Sequence, residues 1–451
     1  MQVFVSDRVC LPDGLQPAKV FVQHGKITKI VKDVTFDSSA SDPNIKIINF
    51  GSNVLMAGIV DSHVHVNEPG RTPWEGYLSA TKAAAAGGVT TIIDMPLNSI
   101  PPTTTLENFL VKQKSTEGQI YVDVGFWGGL ISGNQDELLM LIDAGVVGFK
   151  CFMCPSGVDE FPNVVAEDIR RAVEILENKD AVLAFHAEME ENIDVRDDDP
   201  TKYTTFLKTR PASMEVKAIR TILDACRQHN VKCHIVHLSA AESLPLIEQA
   251  KQDGCQVTVE TCHHYLSLKA EDVPDKATQY KCCPPIRDGN NREKLWKALT
   301  EKKIDLVVSD HSPCTPDLKC FDSGNFLEAW GGISSLQFGL SLFWTEARNR
   351  GFDICQLSAL MSASPAKLCG LQTRKGQLTV GFDADFVVWN PETEIEIAES
   401  TIFHKNKITP YLGKKLYGKV LQTFVRGQSV FENGQHCDLA TGKLLKRNTK
   451  M

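Results

Sequence analysis

The sequence predicts an α/β fold: eight βα units form a barrel, and a small β-sandwich is built from both ends of the chain. Two observations predict it. Both ends of the chain are rich in short alternating strands and turn dipeptides. Between them, apolar β-branched runs alternate with helical segments, which is typical of a parallel sheet covered by helices. Eight such units over about 300 residues match a TIM-type barrel with insertions, and a doubly wound open sheet is the alternative.

The two strand-rich ends define the predicted domain boundaries. In the first end, strands are predicted at 2–5, 19–23, 26–31 and 45–49, separated by turn signals such as Asp13-Gly14. In the second end, strands are predicted at 376–379, 385–389, 393–397, 420–425 and 429–432. We therefore assign residues 1–53 and 372–451 to the β-sandwich, and residues 54–371 to a catalytic (β/α)8 barrel.

The predicted barrel begins at residue 58. Its strands are 58–65, 89–95, 120–128, 146–153, 181–186, 232–238, 256–262 and 304–310. The helices between or before them are 74–86, 106–113, 135–144, 165–176, 211–228, 241–252 and 292–300. Gly87-Gly88 is a typical C-terminal stop for the first helix, and Pro211 suits the first turn of the fifth.

Composition excludes several classes of protein. The chain of 451 residues carries a net charge of −8 and no basic cluster, which argues against a nucleic-acid partner. No apolar run reaches about 18 residues, so no membrane span is expected. The 14 scattered cysteines fit reduced thiols better than a disulfide framework. We expect a cytoplasmic protein, with mitochondria or peroxisomes as alternatives, although the tail 448–451 is not of the Ser-Lys-Leu type.

The first barrel strand ends in Asp61-Ser62-His63-Val64-His65. Alternate residues of a strand share a face, so both imidazoles can bind one metal ion. A catalytic zinc ion usually has about three protein ligands, and an isolated His-x-His pair is more often incidental. The interpretation therefore depends on ligands elsewhere in the chain.

Active sites of such barrels lie at the carboxyl ends of the strands. The polar residues predicted at those ends are His63, His65, Asp94, Asn98, Lys150, His186, His237 and Asp310. Four histidines, a lysine and an aspartate together predict a metal site. An ammonium group would repel metal ions, but a Lys150 amine carboxylated by carbon dioxide would be an anionic ligand able to bridge two of them. Otherwise Lys150 simply pairs with a carboxylate.

These segments resemble the cyclic amidohydrolases, a family that includes hydantoinases, dihydropyrimidinases, dihydroorotases and allantoinases. The resemblance rests on segments 61–65, 148–150, 235–239 and 309–313 with His186, and it covers nearly the whole chain. Longer segments at 65–76, 94–99 and 260–266 are most similar to the allantoinase branch.

The resemblance implies two zinc ions per subunit. In that scheme His63 and His65 hold one ion, His186 and His237 hold the other, and Lys150, as N6-carboxylysine, bridges them. Asp310 completes the first site and is the catalytic acid–base residue. His234 competes with His237, but strand alternation predicts that His234 lies on the opposite face.

The resemblance also implies a small-molecule substrate, allantoin, whose hydantoin ring is opened to allantoate, and a homotetramer. Asn67 stands where dihydroorotases carry an arginine for a carboxylate, and no tyrosine follows Lys150 as in hydantoinases. Both departures favour allantoin over the rival rings. Asn67, Asn98 and Ser312 are the candidate substrate-binding residues.

Other readings remain open. A different cyclic-amide hydrolase is one alternative, and a catalytically inactive scaffold homologue is another, which the complete set of ligand positions disfavours. Asp61 is expected to orient a ligating histidine, whereas Arg71 and Asp94 are expected to be structural. His263 replaces a proline more frequent in the family, and no role is predicted for it.

Overall fold

The computed structural model describes residues 1–33 and 45–447, so the tail 448–451 lies outside the described residues. The strands are β1 Gln2–Leu11, β2 Gly14–Gln23, β3 Lys26–Val31, β4 Lys46–Asn49, β5 Val54–Ala57, β6 Ile59–Val64, β7 Val89–Asp94, β8 Asp123–Phe126, β9 Gly128–Gly129, β10 Gly148–Phe152, β11 Val182–His186, β12 Lys232–Ile235, β13 Val257–Cys262, β14 Leu306–Val308, β15 Phe386–Glu396, β16 Lys415–Val425, β17 Gln428–Glu432 and β18 Gln435–His436. The α-helices are α1 Tyr77–Ala86, α2 Leu106–Lys114, α3 Leu138–Ala144, α4 Ala166–Leu176, α5 Tyr203–Thr209, α6 Ala212–Gln228, α7 Leu244–Gln252, α8 His263–Ser267, α9 Gly289–Thr300, α10 Gly339–Ala347, α11 Ile354–Ser358 and α12 Ser364–Leu368.

The central part of the chain is a run of parallel strands covered by helices. Strands β6-β7-β8 form one sheet, and β14-β13-β12-β11-β10-β9 form a second. Strands β8 and β9 are two halves of one predicted strand, separated by Trp127 alone. At the other end, Val64 of β6 forms a parallel bridge with His311 just after β14. The two sheets are therefore linked at both ends.

Each predicted strand of this region is present with bounds that differ from the prediction by one to three residues, and two strands stop clearly short at the carboxyl end. The sixth ends at Ile235 rather than residue 238, and the eighth ends at Val308 rather than residue 310. His237 and Asp310 lie beyond these ends, with positive φ angles of 39° and 44°. The backbone there has left the pleated conformation, so strand periodicity does not govern where these two side chains point.

The strand-rich pattern predicted that the two ends of the chain pair into a β-sandwich; in the structure they pair into one nine-stranded sheet. Its order is β18-β17-β16-β15-β5-β1-β2-β3, and β4 pairs with β1. Strand β5 belongs to this sheet, although the predicted boundary placed residue 54 in the barrel. Phe4 packs edge-on against Phe386 and Phe424, with ring centroids 5.0 and 5.1 Å apart, in an apolar core of its own.

Three predicted strands of the C-terminal end differ in the structure. No strand forms at 376–379, because Gly376 lies so close to the Ser362 carbonyl that an added Cβ would be 2.5 Å from it. Gly376 packs against Ser362 and Ala366, and Leu378 belongs to the apolar core of the end sheet. The predicted strands 385–389 and 393–397 are one strand, β15, whose register shifts between Asn390 and Glu394. All 14 cysteines are free thiols, as predicted. Among the described residues, no helix combines the length and apolar character needed to span a membrane.

A buried charge cluster connects β8 with the end sheet. The Lys375 ammonium contacts the carboxylates of Asp123 at 2.6 Å, Asp383 at 3.0 Å and Asp385. Burial raises the pKa of Asp383, but Lys375, Lys26 and Arg374 together hold it well below its usual range. Lys375 is therefore the counter-ion for three carboxylates removed from water.

Lys375→Met is expected to destabilise the fold by about 3–5 kcal/mol, because it leaves buried carboxylates without their main counter-ion. A depressed carboxyl pKa contributes stability above its unfolded value, near 4, and that contribution is lost as pH falls through the folded value. The difference in unfolding free energy between Lys375→Met and wild type should therefore be largest above about pH 5 and become smaller in acid. Thermal unfolding across pH measures it. Lys26→Met, which removes a half-exposed partner of Asp383, is the control and should cost at most about 1 kcal/mol. Equal losses in both variants would contradict the assignment.

Candidate metal centre

A cavity of about 320 Å³ opens at the carboxyl ends of the parallel strands. The six residues predicted as metal ligands all line it: His63, His65, Lys150, His186, His237 and Asp310. The same six side chains are buried, with at most 7% of any residue exposed. The structure thus brings together every predicted ligand position, although they are spread over 248 residues of sequence, from 63 to 310 inclusive.

Two features of the backbone, strand pairing and left-handed residues after strand ends, position these side chains. Lys150 in β10 pairs with Ala184, and Phe152 pairs with His186 in β11. Paired residues of neighbouring strands point to the same face, so Lys150 and His186 both enter the cavity. His237 and Asp310 arrive differently, through the left-handed residues that follow β12 and β14.

His63, His65 and Asp310 form the tightest group of donors. Oδ1 of Asp310 lies 3.2 Å from Nε2 of His63 and 3.5 Å from Nε2 of His65. Burial raises the pKa of the Asp310 carboxyl, but the neighbouring His63 and His65 hold it well below its usual range. Asp310 is therefore a carboxylate at neutral pH, facing two imidazole nitrogens. Two imidazoles and a carboxylate within 4.8 Å of one another are a suitable ligand set for a divalent cation.

His186 and His237 form the other half of the site. Their ring centroids are 4.6 Å apart, and the His237 ring lies 5.3 Å from that of His63. Within the described part of the chain, Nδ1 of His237 and Nζ of Lys150 are buried without a hydrogen-bond partner. Unpaired buried polar atoms are costly, so a ligand for them is expected here. The residues therefore fit a metal centre.

Lys150 differs from the buried Lys112, Lys281, Lys319 and Lys375 because its Nζ has no hydrogen-bond partner among the described residues. Burial lowers the pKa of its amine to about 8. A substantial fraction is then neutral near pH 7.5, and the neutral amine is the form that reacts with carbon dioxide. The environment therefore favours carboxylation of Lys150 over a simple ion pair.

Glu260 is a site residue that sequence reasoning missed. Its Oε1 contacts Nδ1 of His63 at 2.5 Å and accepts a hydrogen bond from the His237 backbone N–H at 3.2 Å. Burial raises the pKa of Glu260, but His63 and His234 bring it down to about 2. A carboxylate on one imidazole nitrogen leaves the other, Nε2, for a metal ion. A lone glutamate at the end of the apolar strand β13 was the available signal.

His234 corrects one step of the sequence reasoning. Strand alternation predicted that it lies on the face opposite the site, yet its Nε2 contacts Oε2 of Glu260 at 2.9 Å. His234 and Glu260 therefore share the inward face, with His234 holding Glu260 rather than lining the cavity. His237 reaches the cavity because β12 ends before it, so the preferred residue rests on backbone geometry and not on alternation.

Glu188 and Arg210 were also missed. Nε2 of His186 contacts Oε2 of Glu188 at 2.7 Å, and Arg210 pairs with the same carboxylate at 2.5 Å. His186 therefore keeps Nδ1 for the site. The His-x-Glu spacing at the end of β11 was the signal in the sequence.

Two of the three candidate substrate-binding residues line the cavity. Asn98 and Ser312 do so, and Nδ2 of Asn98 lies 3.5 Å from Nδ1 of His65. Asn67 does not: it is fully buried, and its Nδ2 donates to the Pro313 carbonyl at 3.2 Å. The structure places Asn67 behind the loop that carries Ser312.

The remaining polar candidates have structural contacts. Asp61 accepts hydrogen bonds from the backbone N–H groups of His63 at 3.1 Å and Ser309 at 3.2 Å, so it ties two strand ends together rather than holding an imidazole. Arg71 donates to the Asn98 carbonyl at 2.8 Å. Asp94 forms a buried ion pair with Lys112 at 2.7 Å. His263 packs against Gly339 at the start of α10, outside the cavity lining.

Comparisons with known proteins agree with this geometry. Residues 54–430 match the model of the amidohydrolase family. The chain is 47% identical over 455 aligned positions to an allantoinase of Arabidopsis thaliana, covering 97% of this chain and 90% of that protein. It is 52% identical over 375 positions to a mitochondrial allantoinase of Aquarana catesbeiana, covering 82% and 76%. Among solved structures, an L-hydantoinase (dihydropyrimidinase) from Arthrobacter aurescens is similar, with a TM-score of 0.92, 28% identity and coverage of 99% and 100%. The chain therefore belongs to the amidohydrolase family of cyclic-amide hydrolases and, within it, to the allantoinases.

Proposed function

We propose that this protein hydrolyses the hydantoin ring of allantoin to give allantoate. The observation that carries the proposal is the convergence of six buried donor residues on one cavity, in a chain whose similar relatives are allantoinases. The likeness to a hydantoinase is at lower sequence identity and supports the same class of reaction on a related ring.

We infer that the parallel strands close into a (β/α)8 barrel. Counting β8 and β9 as one, eight strands follow one another in sequence order, and the Val64–His311 bridge joins the last to the first. In the proposed organisation, residues 1–57 and 372–451 form a β-sandwich beside the barrel, whose chain runs from 58 to 371.

The proposed cofactor is a pair of zinc ions. His63, His65 and Asp310 would hold one, His186 and His237 the other, and carboxylated Lys150 would bridge them. Such a pair lowers the pKa of a water molecule toward neutrality and polarises a carbonyl group. Glu260 and Glu188 fix the orientation of His63 and His186, so the imidazole donors are already in place before substrate arrives.

Asp310 is the proposed acid–base residue. Its depressed pKa keeps it ionised, so it can accept the proton of the attacking water. The same carboxyl then delivers that proton to the ring nitrogen that leaves. Asn98 and Ser312 line the cavity beside it and are proposed to hydrogen-bond the ring, which orients the scissile amide.

The test compares initial rates on allantoin, hydantoin, dihydrouracil and dihydroorotate, with protein produced in the presence of zinc and bicarbonate. Allantoin is expected to have the highest kcat/KM by at least about tenfold, since polar groups shaped for its ureido arm would remain unpaired with the other rings. Preference for another ring would overturn the substrate assignment. No turnover of any ring, with zinc bound, would favour the scaffold alternative.

Assembly and location are also proposals. The family resemblance supports a homotetramer. We place the protein in the cytosol, with mitochondria as an alternative because one relative is described as mitochondrial.

A further inference from the structure

Two buried lysines that are not among the proposed metal ligands, Lys281 and Lys319, hydrogen-bond to one wall of the cavity, and Lys281 itself also lines the cavity. The wall is residues 327–332, and five of its six residues, Glu328 to Gly332, line the cavity. Residues 327 and 328 lie in a turn, residue 329 in a bend and residues 330–332 in irregular backbone, so no helix or sheet pairs the carbonyl groups of this segment. Something else must satisfy them.

Lys281 donates hydrogen bonds to the backbone carbonyl groups in the first part of the wall. Its ammonium donates to the Leu327 carbonyl at 3.1 Å and to the Ala329 carbonyl at 2.6 Å. Its own backbone carbonyl accepts a hydrogen bond from the Gly332 N–H at 2.8 Å. One residue therefore fixes both ends of the wall.

Lys319 donates hydrogen bonds to the backbone carbonyl groups in the second part of the wall. Its ammonium donates to the Trp330 carbonyl at 2.9 Å and to the Gly332 carbonyl at 2.6 Å. Between them the two lysines take four of the six carbonyls in the wall. Lys281 is 7% exposed and Lys319 is 2% exposed.

This arrangement is unlike that of the other buried lysines. Lys112 and Lys375 have aspartate partners, whereas the ammonium groups of Lys281 and Lys319 donate to backbone carbonyl oxygens, and that of Lys281 also lies 5.0 Å from the centre of the Phe206 ring. A buried ammonium without a carboxylate is costly, and burial accordingly lowers the pKa of Lys281 to about 8. An energetically costly buried ammonium is retained where the backbone geometry that it fixes is useful.

The wall also packs closely against neighbouring segments of the chain. An added Cβ on Gly332 would be 2.2 Å from the Ser312 carbonyl, and one on Gly331 would be 3.2 Å from Sγ of Cys283. The wall thus abuts Ser312, a proposed substrate contact. A hydantoin ring with its scissile amide at the six donors leaves its ureido arm to meet other lining residues, which include this wall.

We propose that Lys281 and Lys319 are positioning residues that shape the ureido side of the cavity by fixing residues 327–332. This inference rests on the proposed hydrolysis of allantoin for the choice of substrate. Neither lysine is a metal ligand or a proton donor in this scheme; each acts through the backbone of the wall.

The test uses Lys281→Met and Lys319→Met in the full-length, zinc-loaded enzyme. Lys407→Met is the control for loss of a lysine that donates to two loop carbonyls, those of Ile402 and His404; unlike the two cavity lysines, Lys407 is exposed, and it lies outside the cavity lining. For allantoin, each cavity variant should raise KM about 10- to 100-fold with kcat changed less than about threefold. For hydantoin, which lacks the ureido arm but shares the ring that Ser312 is proposed to contact, KM should rise at least about threefold less than it does for allantoin. Zinc content should stay at the wild-type value.

Each other outcome overturns the inference. KM values for allantoin within twofold of the Lys407→Met value would show that the lysines do not position the wall. Equal losses on both substrates, or loss of zinc, would assign them a general structural role. If a methionine variant does not fold, the corresponding glutamine variant is tested instead, because glutamine keeps two N–H donors. Its KM for allantoin must then lie between the wild-type value and the roughly 10- to 100-fold higher value expected for methionine. Failure of the proposed function is distinct, because wild type itself would then not turn over allantoin.

Discussion

Asp310→Asn is expected to lower kcat on allantoin by roughly a thousandfold or more, while the protein stays folded. The amide keeps the size of the side chain but cannot accept the proton of the attacking water. It also removes the negative charge that faces Nε2 of His63 and His65 at 3.2 and 3.5 Å. Steady-state rates, zinc content and far-ultraviolet circular dichroism measure the three effects separately.

Asp305→Asn is the control for this change. Asp305 lies before the same strand, β14, at its amino end, where it pairs with Lys251 at 2.7 Å and accepts from the Val259 N–H at 2.8 Å. This variant should keep wild-type kcat and lose at most about 1 kcal/mol of stability. If Asp310→Asn kept more than a tenth of wild-type kcat, Asp310 would not be the acid–base residue.

Lys150→Ala should lose several kcal/mol of transition-state stabilisation, or roughly a thousandfold in rate, together with part of the bound zinc. The alanine leaves a space at the centre of the cavity where the proposed bridging carbamate stood. A short carboxylate such as acetate has the same two-oxygen anion and should restore part of the activity in a concentration-dependent way.

Acetamide is the matched control for that rescue, since it has the same shape without the charge. Rescue by both compounds would indicate that filling the space is sufficient, and rescue by neither, with zinc retained, would remove the carbamate from the proposal. Mass spectrometry under native conditions should also show one added carbon dioxide per subunit in the wild-type protein but not in Lys150→Ala.

The site was largely predictable because its residues lie at strand ends, where a simple rule applies. Lys150 and His186 follow that rule directly, since each is the inward-facing residue of a regular strand. His237 and Asp310 do not, because each adopts a left-handed backbone after its strand has ended. For these two, the family resemblance pointed to the residue, and alternation gave a wrong account of His234.

The supporting residues were harder to predict for a physical reason. Glu260 and Glu188 contact imidazoles, not the cavity, and a buried carboxylate in an apolar strand has no periodic signature. The contacts of Lys281 and Lys319 are with backbone carbonyls, which any sequence supplies. The predicted strand 376–379 failed likewise, because the close approach of Gly376 to Ser362 is a tertiary contact.

The end sheet has a consequence for the order in which the molecule forms. Strand β5 lies between β1, encoded before it, and β15, which begins at Phe386. On a ribosome adding about 5–20 residues per second, β5 waits roughly 15 to 70 s for its second neighbour. During that time one of its edges is open to other chains. All the parallel strands from β6 to β14 are therefore synthesised while this edge of β5 is still unpaired, and β15 covers it only afterwards.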